Sequence, residues 1–265
     1  MSTPLRFDAN LKWLFTEVPF LERFDRAAEA GFSGVEYASP YEYQAADLRK
    51  RLADAGLQQI LINTPAGPDG SATRNGTACV PGFERQFRED THRALDYASE
   101  LSSPFVHLMA GVRPADVDET RSFATYVNNV SWAADRARDS GVRLLLEAIN
   151  KRDTPGFGLD SMETAAAVAQ TVGPDAVGVM FDIYHAQVDR GNLTDRFDAL
   201  LPSIGHIQIA DNPGRHEPGT GEIGYAYLFE HIAHSTYSGW IGCEYAPRGE
   251  TTSGLAWIAE IGKVG

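Results

Sequence analysis

Short runs of β-favouring residues alternate with amphipathic stretches of helical period along this 265-residue chain, eight times from one end to the other. The runs expected as strands are 5–10 (LRFDAN), 33–37 (SGVEY), 58–63 (QQILIN), 105–109 (FVHLM), 142–148 (VRLLLEA), 177–182 (VGVMFD), 205–210 (GHIQIA) and 240–245 (WIGCEY). Between them, stretches such as VPFLERFDRAAEAGF, FERQFREDTHRALDYASEL, ETRSFATYVNNVSWAADRARDSG and SMETAAAVAQTVG place apolar residues three and four apart. Several close on a glycine before the next strand, at Gly31, Gly141 and Gly173, in the manner of a helix C-cap. Strands that alternate with helices are joined by crossovers and lie parallel. Eight such units in a chain of this length predict an α/β fold, a single (β/α)8 TIM barrel occupying 1–265 as one domain.

In such a barrel the C-terminal ends of the strands converge on one mouth. Four polar residues stand at or near those ends in the second half: Glu147 in LLLEAI, Asp182 in VGVMFDIYH, Gln208 in IGHIQIA and Glu244 in WIGCEY, separated by 35, 26 and 36 residues. A carboxylate on an apolar strand is costly unless it is paired, hydrogen-bonded or bound to a metal. One alone is explained by an ion pair with a neighbouring strand. Four at the same end of consecutive strands predict a shared ligand, and three carboxylates with one amide oxygen suit a hard divalent cation.

Thirty-six acidic against 23 basic residues give a net charge of −13. That field repels phosphate backbones and attracts divalent cations, so nucleic acid is not an expected partner. A small anionic substrate needs local cations to neutralise it. The N-terminus lacks the basic-then-apolar order of a signal peptide, and no apolar run approaches the roughly 20 residues of a membrane span. A cytoplasmic protein that does not associate with membranes is expected. Cys79 and Cys243 lack metal-ligand spacing and read as ordinary thiols of a reducing compartment. The sequons at Asn75, Asn129 and Asn192 have no meaning without secretion.

From Glu147 through INKRDTPGFGLD, FDIYHAQ, HIQIADNPGRHEPGTGEI and GCEYAPRG to Gly249, the chain resembles the hydroxypyruvate isomerases. These lie within the xylose isomerase-like barrels, which also contain sugar-ketose epimerases and zinc-dependent abasic-site endonucleases. The first half agrees in order of elements and in size. The resemblance implies that Glu147, Asp182, Gln208 and Glu244 bind Mg2+ or Mn2+, and that Glu147 and Glu244 also transfer protons. Where relatives carry a His as third ligand, this chain has Gln208, which makes the set all-oxygen and disfavours zinc. His185 resembles a position that hydrogen-bonds a substrate oxygen. The implied activity interconverts hydroxypyruvate and tartronate semialdehyde through an enediolate. The nearest rivals are isomerisation of a longer 2-oxo or 3-oxo sugar acid and 3-epimerisation of a free ketose on the same ligands.

An acid substrate needs a carboxylate binder, for which the guanidinium fork of Arg215 is the first candidate, with Lys12, Lys151 and Arg152 behind it. His107, Glu36 and Asn63 lie at other strand ends and are expected to line the mouth or to support residues that do. Asp153 is a further substrate candidate, and Glu217 reads either as a carboxylate ordering Arg215 or as a solvated charge. Trp13, Phe15, Tyr37, Tyr41 and Tyr43 follow the first two strands and can exclude water, pack the core or meet another subunit of a homo-oligomer.

Two long Gly- and Pro-rich loops, 63–82 and 211–224, leave strand ends on the mouth side and are expected to form walls or lids of a substrate pocket. Gly219, Gly221 and Gly224 spell GxGxxG, but the motif does not follow a strand directly and too little chain remains for a dinucleotide half-domain. A Gly-rich turn before the next helix is the better account. A nuclease of the same barrel type would need many His ligands and a basic groove, which seven scattered His residues and the acidic balance do not supply. A binding module that keeps the cation site without turnover is the remaining class.

Overall fold

Parallel strands need long crossovers, and in this chain every strand is followed by helix. The structure, a computed structural model, describes residues 3–68 and 70–262. The strands are β1 (Arg6–Asn10), β2 (Gly34–Glu36), β3 (Gln58–Asn63), β4 (Phe105–His107), β5 (Arg143–Glu147), β6 (Val177–Asp182), β7 (Ile204–Ile209) and β8 (Trp240–Cys243). They pair in chain order, all parallel, and β8 returns to β1 to close the barrel. The expected single (β/α)8 TIM barrel is the observed fold, with strand ends displaced by one or two residues.

The crossover helices are α1 (Arg23–Glu29), α2 (Ala45–Ala55), α3 (Glu84–Leu101), α4 (Glu119–Ser140), α5 (Met162–Val172), α6 (Ile183–Asp189), α7 (Leu193–Leu200) and α8 (Tyr225–His234), and α9 (Ala256–Glu260) follows the last strand. Their starts are chemically marked: Asp118 accepts from the backbone N–H groups of Thr120 and Arg121 at α4, and Ser161 accepts from that of Thr164 at α5. Gly141 ends α4 at φ 72°, a left-handed cap that other residues adopt only with strain. The first helix begins later than its apolar spacing suggests, because Pro19 holds an extended backbone and a short 3-10 turn intervenes.

Most of the core lies between the strands and the helices, where residues such as Phe24, Leu48, Phe87, Tyr126, Val130, Phe181 and Phe229 are buried. The barrel interior is divided. Side chains alternate along a strand, so the residue two before each mouth position points inward one layer deeper. On β3 to β6 that layer is Leu61, Phe105, Leu145 and Met180, which form a separate apolar cluster. On the opposite side are the buried Asp8, Glu36 and His206, gathered close together. One half of the floor is therefore greasy and the other polar.

Candidate active site

Glu147 ends β5 and Asp182 ends β6; Gln208 lies in β7, and Glu244 follows Cys243, the last residue of β8. Asp182 faces Gln208 across the ladder, and Gln208 faces Gly242. Helix α6 starts at once after β6, with Asp182 as its cap: Oδ1 accepts from the His185 backbone N–H at 3.0 Å. Its Oδ2 lies 3.7 Å from His185 Nε2 and 3.6 Å from Arg215 Nη2. Glu147 reaches the same place, with Oε1 3.7 Å from His185 Nε2 and Oε2 3.6 Å from His107 Nδ1. Arg215 Nη2 donates to Glu244 Oε2, and its guanidinium lies between the rings of Trp13 at 4.9 Å and Tyr184 at 5.0 Å.

Burial raises all three carboxyls. Glu147 is pushed well above the usual carboxylate range by burial and then by the charges of Glu244 and Asp182, with Arg215 opposing. Burial lifts Asp182 to about 6 against the pull of Arg215, and Glu244 rises for the same reasons. Arg215 is held in its charged form, since the attraction of Glu244, Asp182 and Glu147 outweighs its own burial. The two imidazoles stay uncharged, because burial pushes His107 down to about 3, and burial with the nearby Arg215 does the same to His185. Asn150 donates its side-chain N–H to His185 Nδ1 at 2.6 Å, so the ring proton sits on Nε2 and points at Glu147 and Asp182. With all three ionised, the carboxylates would outnumber the guanidinium by two negative charges, in a place where Glu147 and Asp182 are buried and Glu244 and Arg215 partly so.

That surplus matches a divalent cation, and a further atom fits it. Gln208 Nε2 donates to Glu36 Oε1 at 2.7 Å, whereas Gln208 Oε1 is buried without a hydrogen-bond partner. Buried amide oxygens are rarely left so. Carboxylates from Glu147, Asp182 and Glu244 with this oxygen make the donor set that a hard cation takes.

The other candidates divide. His107 and His185 join the cluster, as does Arg215. Lys12 is exposed, with Nζ 5.7 Å from the Trp13 ring, and lies with Asn63 in the wall of a cavity of about 980 Å3 above β1 to β3. Asn63 Nδ2 donates to Met109 Sδ at 3.3 Å. Lys151 turns away to pair with Asp160. Arg152 donates to Tyr184 Oη and Asn212 Oδ1, and Asp153 accepts from Asn150, which ties both to the rim beside His185.

Glu217 corrects the sequence expectation. It is buried and accepts from the Arg248 backbone N–H, pinning the loop after β8 instead of ordering the Arg215 side chain or facing solvent. Tyr37 packs against Phe20 and Phe24, and Phe15 against Phe32, so of the early aromatics Trp13 is the one stacked on Arg215. The glycines of GxGxxG fold around Asp211, whose Oδ2 accepts from the N–H groups of Gly219 and Gly221. The end of the loop after β3 is tied to α4, where Ser122 and Asn129 donate to the carbonyls of Cys79 and Ala78.

Sequence reasoning passed over Asn10, Asn150 and Tyr184. Asn10 ends β1 as the ligand candidates end theirs, and that position was its signal; Asn150 and Tyr184 lie in a loop and a helix start, where no periodicity marks a role.

Residues 24–261 match the sequence profile of the xylose isomerase-like TIM barrel family. The chain belongs to that family. Relatives within it include the 2-oxo-tetronate isomerase of Cupriavidus necator, 46% identical over 96% of this chain and 97% of its own. The hydroxypyruvate isomerase of Escherichia coli is 44% identical over 96% and 98%. A solved family structure from Brucella melitensis, described as an AP endonuclease of family 2, superposes with a TM-score of 0.92 at 41% identity, covering 98% of this chain and 99% of that one.

Proposed function

We propose that this protein is a divalent-metal-dependent isomerase of small anionic hydroxy-oxo acids, with hydroxypyruvate and tartronate semialdehyde as its substrate pair. The carrying observation is the cluster of three carboxylates and one guanidinium at the mouth of the barrel, with the unpartnered amide oxygen of Gln208 on β7, the strand between those of Asp182 and Glu244. The names of full-length relatives support the reaction class. Glu147, Asp182, Gln208 and Glu244 would hold Mg2+ or Mn2+. When bound, the cation would polarise the substrate carbonyl and balance the charge that develops on two adjacent oxygens.

The rest falls to the chain's own groups. The isomerisation takes a proton from C3 of hydroxypyruvate, passes through an enediolate, and returns a proton to C2, while the hydroxyl proton moves from O3 to O2. Glu147 on β5 and Glu244 after β8 approach from different sides of the mouth, so one carboxylate removes the carbon-bound proton and the other delivers one. Burial makes both carboxyls hold a proton more readily than an ordinary carboxylate, as a proton carrier must. His185, neutral with its proton on Nε2, donates to a substrate oxygen without giving up charge. Arg215, stiffened by two rings, receives the substrate carboxylate.

The test is proton NMR in D2O with hydroxypyruvate and Mg2+ or Mn2+. Deuterium entering the substrate carbons together with an aldehyde product is the expected result; neither appearing ends this reading. A longer acid, 2-oxo-tetronate, is the second reading, favoured by the cavity of about 980 Å3 beside Lys12 and Asn63 and by the Cupriavidus necator relative. The ratio of kcat/KM for the two acids decides between them. Three zinc ions bound per chain would instead revive a nuclease, which the net charge of −13 opposes.

A further inference from the structure

Beneath the mouth, the fully buried carboxylate of Glu36 accepts three hydrogen bonds. Oε1 takes Asn10 Nδ2 at 2.8 Å and Gln208 Nε2 at 2.7 Å, and Oε2 takes His206 Nε2 at 2.7 Å. A carboxylate only accepts, so the atom of Gln208 that touches it is the nitrogen. The amide oxygen is then turned away from Glu36, where it has no protein partner. Asn10 is fixed in the same sense: its nitrogen bridges Glu36 and Glu244, and its oxygen accepts from the Lys12 backbone N–H.

The barrel makes room for this carboxylate. Gly242 of β8 faces both Asp8 and Gln208 in register, and a Cβ there would lie 2.6 to 2.7 Å from the Glu36 carboxylate atoms. Real Cβ atoms do not approach so closely, so the absence of a side chain on β8 is what seats Glu36.

We propose that Glu36 is a positioning residue that fixes the Gln208 amide with its oxygen towards the cation, making a residue that could present either of two atoms into a dependable oxygen ligand. The inference rests on the metal-dependent reading above and extends it one layer down. Glutamine has no intrinsic preference for which end faces a cation, because its two terminal atoms are nearly the same size. Without an acceptor-only group behind it, the amide nitrogen would face the ion part of the time.

The experiment compares wild type, E36Q and the exchange variant E36Q/Q208E, each stripped with EDTA and titrated with Mn2+. Free ion is followed by its EPR signal, and the waters on bound Mn2+ are counted by ENDOR in 17O-labelled water. A carboxamide at position 36 both donates and accepts, so Gln208 is no longer held one way; Mn2+ affinity should fall by about 10- to 100-fold, the usual effect of losing such a support. Bound Mn2+ should also gain one water in place of the lost oxygen. In E36Q/Q208E the new amide donates to the new carboxylate, whose other oxygen faces the ion, and about tenfold of the lost affinity should return. Recovery stays incomplete because Asn10 then meets an amide nitrogen.

E36Q with wild-type affinity, or with weakened affinity and an unchanged water count, overturns the proposal. So does an exchange variant that recovers nothing or does not fold; should E36Q alone fail to fold, the exchange variant decides by the same criterion. Wild-type protein that binds neither Mn2+ nor Mg2+ would end the metal reading itself, a separate result.

Discussion

At the scale of single residues, the site is a problem of charge in a buried space. Replacing either Glu147 or Glu244 by Gln removes one proposed proton carrier and one proposed ligand charge while preserving shape. Each variant should lose about 10²- to 10⁴-fold in kcat, the range expected for general acid–base groups, with an unchanged circular dichroism spectrum. Turnover within tenfold of wild type would remove that carboxylate from the proton path. Arg215→Lys keeps the charge but loses the planar fork and the stacking between Trp13 and Tyr184, so KM should rise more than tenfold with kcat less affected. The pH dependence follows from the raised carboxyls. Burial holds a proton on Asp182 up to about 6 and raises Glu147 as well, and a cation must displace those protons. Mn2+ affinity should therefore climb as pH rises from about 5 to about 7, either side of the Asp182 value, with proton release on binding, which calorimetry in buffers of different ionisation enthalpy measures. Affinity flat across that range would mean the carboxyls are already ionised. Gln208 was legible as a ligand candidate from its place near a strand end. The direction of its amide was not, because it is set by Glu36, 172 positions distant in the chain.

Elements place these residues, and they differ in how plainly they were written. Helices α3, α4 and α5 and all eight strands could be read from the sequence, since amphipathic period and strand composition agree with where the residues are buried. Helix α6 could not. Its residues IYHAQVD follow VGVMFD without a break in apolar character, and the change from strand to helix occurs at Asp182, which serves as strand end, cap and site carboxylate at once. Helix α7 also escaped, an extra element after β6 that adds no ninth strand. Glu36 was visible as a strand-end acid but not as the centre of a buried network, because its partners come from β1 and β7. Strand β8 offers a test at this scale. Gly242→Ala pushes a methyl group into the Glu36 carboxylate, and overpacking of that kind costs about 1–3 kcal/mol. The urea midpoint should fall accordingly, and metal affinity with it. A variant as stable as wild type would show that Glu36 has room to move.

For the whole molecule, the relevant quantity is the field of 36 acidic and 23 basic side chains. A net charge of −13 attracts a divalent cation from a distance and repels an anionic acid, although both are proposed to meet at one mouth. The conflict would be resolved locally, where a bound cation would cancel the negative charge that Arg215 leaves over, with Lys12 at the rim. Screening separates the two regimes. At about 0.01 M ionic strength the Debye length is about 30 Å and the whole protein is felt, whereas at about 0.15 M it is about 8 Å and only the mouth matters. Raising salt over that interval should weaken Mn2+ binding and at the same time increase kcat/KM for hydroxypyruvate at saturating metal, two responses of opposite sign from one cause. Calorimetry for the ion and initial rates for the acid, in a chloride salt that does not bind Mn2+ strongly, measure both. If rates fall with salt as ion affinity does, local positive charge at the mouth outweighs the global field, and capture of the acid is steered by Arg215 and Lys12 even at long range.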